Sequence, residues 1–180
     1  QGFRVVACDI AERAMVVGHA LVENNRTKLT REDILRLARS DSDGSPGPVE
    51  QTYAPRTFTR AQARLLDRAL AQADSARDPA KGGLLRLLAI RVALLAHPMS
   101  QVRAGTIHRL DSREYEAITE SCLYHYIDGM RLTRPEKLWD LACQINAGVF
   151  EGQARVLKQD VVKTLPEIEA DVAYFDPPYP

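Results

Sequence analysis

The sequence predicts an α/β fold: strand-like apolar runs stand at both ends of the chain, and a long helical block lies between them. Three observations carry this reading. Phe3-Arg4-Val5-Val6-Ala7-Cys8 is short, apolar and β-branched, as a buried strand is. Ala154–Lys158 and Val172–Phe175 have the same character near the other end. Each of the three runs is followed by an aspartate, Asp9, Asp160 or Asp176. In open α/β sheets ligands sit beyond the carboxyl ends of the strands, so three such carboxylates are expected to converge on one crevice.

The elements follow in order. After Asp9, apolar Ala14, Val17 and Leu21 recur at helical spacing, which predicts a helix from Ala11 to about Asn24. Thr30 with Asp33 opens a second short helix carrying Ile34, Leu35 and Leu37. Ser40 to Pro48 is small, polar and rich in Gly and Pro, and reads as a linker. Thr59 caps a third helix running to about Ala73, with Ala63, Leu66 and Leu70 on one side and Arg60, Arg64 and Arg68 on another. Residues 83–97 form the most apolar helix, ended by Pro98. Two more helices are expected over 111–128 and 133–147, the latter with Thr133 as cap and Pro135 in its first turn. Tyr115, Tyr124, Tyr126 and Trp139 recur at helical spacing with leucines and read as core. The resulting division is 1–39 as the start of an α/β core, 40–55 as linker, 56–148 as a helical insertion and 149–180 as the return to the core.

Composition bounds the function. At 180 residues, with 45% hydrophobic and 27% charged residues, the chain is about one globular domain. No apolar stretch approaches the roughly 18 to 20 residues of a membrane helix, and no signal peptide opens the chain, so no membrane partner is expected. Cys8, Cys122 and Cys143 are odd in number, widely spaced and without histidines at ligand spacing. Neither a disulfide framework nor a metal site is expected, and reduced thiols place the protein in the cytoplasm. The net charge of zero conceals an uneven distribution. Residues 56–113 carry 11 Lys/Arg against 4 Asp/Glu, whereas residues 114–180 carry 6 against 12. A basic middle suits a phosphate-facing patch, and equally a set of solvated helix faces balanced by the acidic third.

The most specific chemistry is Asp176-Pro177-Pro178-Tyr179 at the end of the last apolar run. Two prolines fix φ and remove two N–H donors, so the Pro177 carbonyl is presented rigidly. That carbonyl and the Asp176 carboxylate are acceptors suited to the two hydrogens of an exocyclic amine. Tyr179 offers a face for a planar base, a contact worth about 1–3 kcal/mol. For Asp9 and Asp160 the residues alone leave two readings open, a ligand-binding carboxylate and a cap for the following turn.

Asp176-Pro177-Pro178-Tyr179 resembles the catalytic motif of the adenine-N6 DNA methyltransferases that use S-adenosylmethionine. The order of Asp9, a helical insertion and then Gln159-Asp160-Val161 before the motif is similar to the Dam-like class. Tyr53, Phe58-Thr59 and Ala61 look like the stretch that opens the insertion in bacterial members. The resemblance implies a Rossmann-like methyltransferase sheet, here partial, with a mainly helical target-recognition insertion. It implies that Asp9 with Ile10, and Asp160 with Val161, bind S-adenosylmethionine, Asp9 through the ribose hydroxyls and Asp160 through the adenine amine. It implies double-stranded DNA as partner, with Arg56, Arg60, Arg64, Arg103, Arg109 and Arg113 on its phosphates. A cognate restriction endonuclease is a further expected partner. The family's glycine-rich Phe-x-Gly-x-Gly loop is not among these residues, so the resemblance implies a middle fragment of a longer methylase. Methylation of cytosine N4 or RNA, and a non-catalytic DNA-binding subunit, are the competing expectations.

Overall fold

The computed structural model describes residues 4–39, 45–54, 57–96 and 132–175. In them a small parallel sheet sits against one end of a helical block. Strand β1 spans Arg4–Asp9 and β2 spans Gln153–Lys158, paired in parallel from Arg4↔Gln153 to Asp9↔Lys158. Parallel neighbours need a crossover connection, and here that crossover is the whole helical block. It comprises α1 (Glu12–Val17), a π-helical continuation (Gly18–Glu23), α2 (Arg31–Ala38), α3 (Pro48–Tyr53), α4 (Arg60–Asp74), α5 (Pro79–Ala96) and α6 (Pro135–Ala147). After β2 come α7 (Val161–Thr164) and a 3-10 turn (Leu165–Glu167). Among the described residues no helix is long and apolar enough to cross a membrane.

Local chemistry starts the helices where the sequence predicts. Thr30 and Asp33 form a capping box at α2, and Thr59 and Gln62 form one at α4, so each satisfies two orphan N–H groups. The linker expected over 40–55 is a correction, because residues 48–53 form α3. Pro48 occupies its first turn, and the Asp67 carboxylate accepts from the Val49 and Glu50 amides at 2.8 and 2.9 Å. That carboxylate comes from α4, a tertiary partner that local composition does not reveal. Two other boundaries move. Helix α5 begins at Pro79 rather than 83, with Asp78 Oδ1 accepting from the Ala80 amide at 2.9 Å. At α6 the cap is Arg134 with no side-chain bond, not Thr133, because Pro135 already supplies a first turn without an N–H to satisfy. The helix expected over 111–128, with Tyr115, Tyr124 and Tyr126, lies outside the described residues.

Leu84, Leu85, Leu88 and Val92 of α5 are buried, and α4 supplies Ala63, Leu65, Leu66 and Ala69 against them. Ile34, Leu37, Leu138 and Leu141 complete the centre of the core. Trp139, expected inside, is only half-buried at its edge, where the Arg31 guanidinium lies 5.0 Å from the ring centroid. Asn146 ties the block together by accepting from the Leu29 amide and donating to its carbonyl, at 2.8 and 2.9 Å.

Two glycines let the first helix be shared between sheet and block. A Cβ on Gly18 would lie 2.7 Å from Val156 Cγ1 of β2, and one on Gly83 would lie 3.3 Å from the Ala20 amide nitrogen. The sheet remains thinly covered. Val156 is its one buried residue, Val5 is 44% exposed, and the run after the 3-10 turn is more exposed still. The third strand expected over Val172–Phe175 is not formed: the segment is irregular, with Val172 85% and Tyr174 89% exposed. Its backbone has no neighbouring strand to pair with among the described residues.

Two outcomes test this packing. Gly18→Ala should cost about 1–3 kcal/mol in urea unfolding, because the new methyl meets the branched end of Val156. Gly152→Ala, whose Cβ meets nothing nearer than 3.8 Å, should be close to neutral. Asp33 is the second test. Burial pushes its carboxyl up, but Lys81 at 2.7 Å and the Thr30 amide and hydroxyl outweigh that and hold it below its ordinary 3.8. Its stabilisation is therefore present above about pH 4 and lost as pH falls through the lowered native value. Asp33→Asn should flatten that acid limb in pH-dependent melting.

Candidate strand-end site

The parallel register places the carboxyl ends of both strands side by side. Asp9 pairs with Lys158, and the Gln159 amide donates to the Asp9 carbonyl at 3.2 Å. Asp9 and Asp160 therefore stand on one edge of the sheet, as the sequence predicts. Each also makes the local bond that the bland reading expects. Asp9 Oδ1 accepts from the Ala11 amide at 2.8 Å and Asp160 Oδ1 from the Val162 amide at 2.9 Å. Both carboxylates are exposed, and each keeps a second oxygen with no partner among the described residues. The two readings are thus compatible: one oxygen holds the turn and the other faces outward.

Apolar side chains surround these carboxylates. Ile10 is 69% exposed, and Val161 and Val162 open α7 on the same edge, also exposed. Cys8 reads as packing in the sequence, and its Sγ donates to the Gln159 carbonyl at 2.9 Å and meets Thr164 Oγ1 at 3.2 Å. It thereby fastens α7 over β1. Beneath β1, toward α1, lies an open cavity of about 430 Å³ lined by Ala7, Ala14, Met15, Val17 and Val156, with Asp9 and Arg13 as its charged members. Arg13 and Met15 were not singled out by the sequence; their spacing from Asp9 looks like ordinary helix patterning.

The arginines fare differently. Arg60 is exposed at the first position of α4. Arg64 is held by Glu50, Nε to Oε2 at 2.8 Å, with Glu50 itself buried, so its head is committed within the fold. Arg86 and Lys81 are similarly engaged, by Asp74 and Asp33. Much of the positive charge in the described part of the middle segment is thus answered by acids from neighbouring helices. Arg56, Arg103, Arg109 and Arg113 lie outside the described residues, as do Asp176, Pro177, Pro178 and Tyr179. Among the described residues no group of three His, Cys, Asp or Glu stands ready to hold a metal.

Glu23 is the residue that sequence reasoning missed. Its Oε1 accepts from the Val156 amide at 2.6 Å, and Oε2 meets His19 Nδ1 at 2.7 Å. Backbone groups alternate sides along a strand, and Gln159 points its N–H at β1, so Val156 points the other way. Glu23 therefore closes the outer edge of β2. Burial pushes its carboxyl up, but the Val156 amide and His19 together hold it below its ordinary value. A Glu one turn beyond a His on a helix gives no hint of a strand edge in the sequence.

Compared with protein-family models, curated proteins and solved structures, this chain matches none.

Capping and ligand binding at Asp160 separate by substitution. Asp160→Ala should destabilise by about 0.5–2 kcal/mol in chemical denaturation, while Asp160→Asn, an equally good cap, should hold stability within a few tenths. Any ligand that needs the charge should lose affinity in both.

Proposed function

We propose that this chain belongs to an S-adenosylmethionine-dependent methyltransferase acting on adenine N6 in DNA. The observation that carries the reading is the pair of strand-end carboxylates, Asp9 and Asp160, on one edge of a parallel sheet, each with an oxygen to spare. The sequence adds Asp176-Pro177-Pro178-Tyr179 after the next apolar run. The donor's ribose presents two hydroxyls and its adenine an amine, all hydrogen-bond donors. Acceptors flanked by Ile10 and Val161 fit such a ligand, polar at its rim and flat and apolar across its ring.

The donor supplies an electrophilic methyl on a sulfonium. The chain's part is to bind and orient. Asp9 would accept from the ribose hydroxyls and Asp160 from the donor's adenine amine. At the target, N6 is unreachable inside the stacked duplex, so the base must be flipped out, where Tyr179 would stack on it. Asp176 and the Pro177 carbonyl would accept the N6 hydrogens as the amine attacks, drawing off the positive charge that develops on nitrogen. The transfer is direct and needs no covalent enzyme intermediate. Of the arginines expected on phosphate, Arg60 is exposed, and Arg64 is set aside by its bond to Glu50. This reading places the protein in the cytoplasm, in a modification or restriction–modification system.

A DNA-binding subunit without catalysis is the alternative class, and donor binding decides between them. Asp176→Ala should abolish methyl transfer to DNA in a radiolabelled-methyl assay while leaving DNA affinity within about threefold. Retained transfer would overturn the assignment. Asp9→Asn should weaken S-adenosylmethionine binding in calorimetry by roughly tenfold or more, the cost of one charge-assisted bond.

A further inference from the structure

The two strand-end carboxylates are tied to each other through side chains that the proposed chemistry leaves unused. Cys8 immediately precedes Asp9, and its Sγ donates at 2.9 Å to the carbonyl of Gln159, which immediately precedes Asp160. The same Sγ lies 3.2 Å from Thr164 Oγ1, whose hydroxyl donates to the Asp160 carbonyl at 3.0 Å. Two protons therefore serve three contacts. The thiol proton goes to Gln159, and the hydroxyl proton is shared between the Asp160 carbonyl and the sulfur, a weak acceptor. Thr164 is buried, and a buried hydroxyl left without a partner is costly. The helix it ends, α7, has four residues and is too short to hold a fixed place by itself. Its first turn is closed by Asp160, whose carbonyl accepts from the Lys163 and Thr164 amides at 3.0 Å. Those bonds are internal, so they let the turn pivot as a unit. Among the described residues, the Gln159 amide on the Asp9 carbonyl and the Cys8 thiol are the hydrogen bonds that tie 159–164 to β1.

We propose that Cys8 and Thr164 are positioning residues that fix the Asp160 carboxylate relative to Asp9, so that one donor molecule meets both at once. Asp160 takes the adenine amine and Asp9 the ribose hydroxyls of a single rigid nucleoside, so the separation of the two carboxylates has to be held. Groups that bind in concert work when neighbouring bonds keep them within about 0.5 Å of the productive geometry. Asp9 needs no separate tether, because it continues the strand that carries Cys8. Asp160 lies beyond the end of β2, and the thiol returns it to the frame of β1. That the ligand is the methyl donor rests on the methyl-transfer reading; that Asp160 is held in place rests on Cys8 and Thr164 alone.

The test uses the whole 180-residue chain. The Val162 amide donates to Asp160 Oδ1, so its exchange rate in NMR reads the carboxylate directly. In Cys8→Ala that exchange should quicken about fivefold, the effect of losing one neutral hydrogen bond, with the circular-dichroism spectrum unchanged. Cys8→Ser, which keeps a donor, should recover most of the loss, and Thr164→Val should match Cys8→Ala. If Cys8→Ala does not fold, Thr164→Val carries every comparison. Unchanged exchange at Val162 overturns the proposal. Calorimetry supplies a second readout, with S-adenosylhomocysteine and its purine-riboside counterpart, in which hydrogen replaces the amine. Cys8→Ala should weaken the first about fivefold and leave the second within about twofold, because the second makes no bond through the amine. Equal effects on the two compounds overturn the proposal, since a general loosening of the sheet end lowers both alike. Where neither compound binds the unaltered chain, the methyl-transfer reading fails, and exchange at Val162 alone decides whether Cys8 and Thr164 hold Asp160.

Discussion

The parallel pairing of β1 with β2 is the constraint on which the rest depends. It joins residues about 150 positions apart in the chain, Arg4 with Gln153 through Asp9 with Lys158. An antiparallel pair would have put Asp9 and Asp160 at opposite ends of the sheet; the parallel one sets them on a single edge. Everything between the strands is then a crossover, and its helices must bury themselves against one another because two strands offer too little surface. Most of the deeply buried core residues accordingly belong to α2, α4, α5 and α6, while the sheet contributes Val156. Among the described residues, the first helix and its π-helical extension bridge the two regions, and they do so through Gly18 on Val156 and Gly83 on Ala20.

Charge placement follows from that division of labour. A surplus of basic residues over 56–113 suggests a phosphate-facing surface when read along the chain. In space, several of those cations meet carboxylates brought by other helices: Arg64 meets Glu50, Lys81 meets Asp33, Arg86 meets Asp74. Exposed pairs such as Arg86–Asp74 contribute little to stability, roughly 0–1 kcal/mol. They do lower the field available to a polyanion. A nucleic-acid contact from the described part of this segment therefore rests on individual exposed arginines such as Arg60, not on the segment's net charge.

What was legible in the sequence is what local chemistry decides. The capping boxes at Thr30 and Thr59, the apolar period of α4, the continuous apolar run of α5, and the strand-end position of Asp9 and Asp160 depend on near neighbours, and the structure has them. What was illegible depends on partners far along the chain. Helix α3 exists because Asp67, in another helix, satisfies its first amides. Glu23 seals a strand 133 positions away. Trp139 is half-buried and meets Arg31, from a helix about a hundred positions earlier, across its ring. Val172–Phe175 has the β-branched and aromatic residues of a strand, yet a strand is a relation to a neighbour, and none among the described residues stands beside it. Asp176, Pro177, Pro178 and Tyr179, the most specific signal in the sequence, lie outside the described residues.

The edge of β1, unpaired among the described residues, bears on the strand-end site. A carboxylate holds a ligand well only when its carrier is rigid, since small displacements of binding groups are costly. Asp160 is steadied by α7, which Cys8 fastens through Thr164 and the Gln159 carbonyl. Asp9 has its bond to the Ala11 amide, but among the described residues its strand is paired along one side, and it borders the cavity. Local opening is easiest where few apolar contacts and few backbone bonds resist it. Of the two carboxylates Asp9 is thus the one whose position depends on what covers β1.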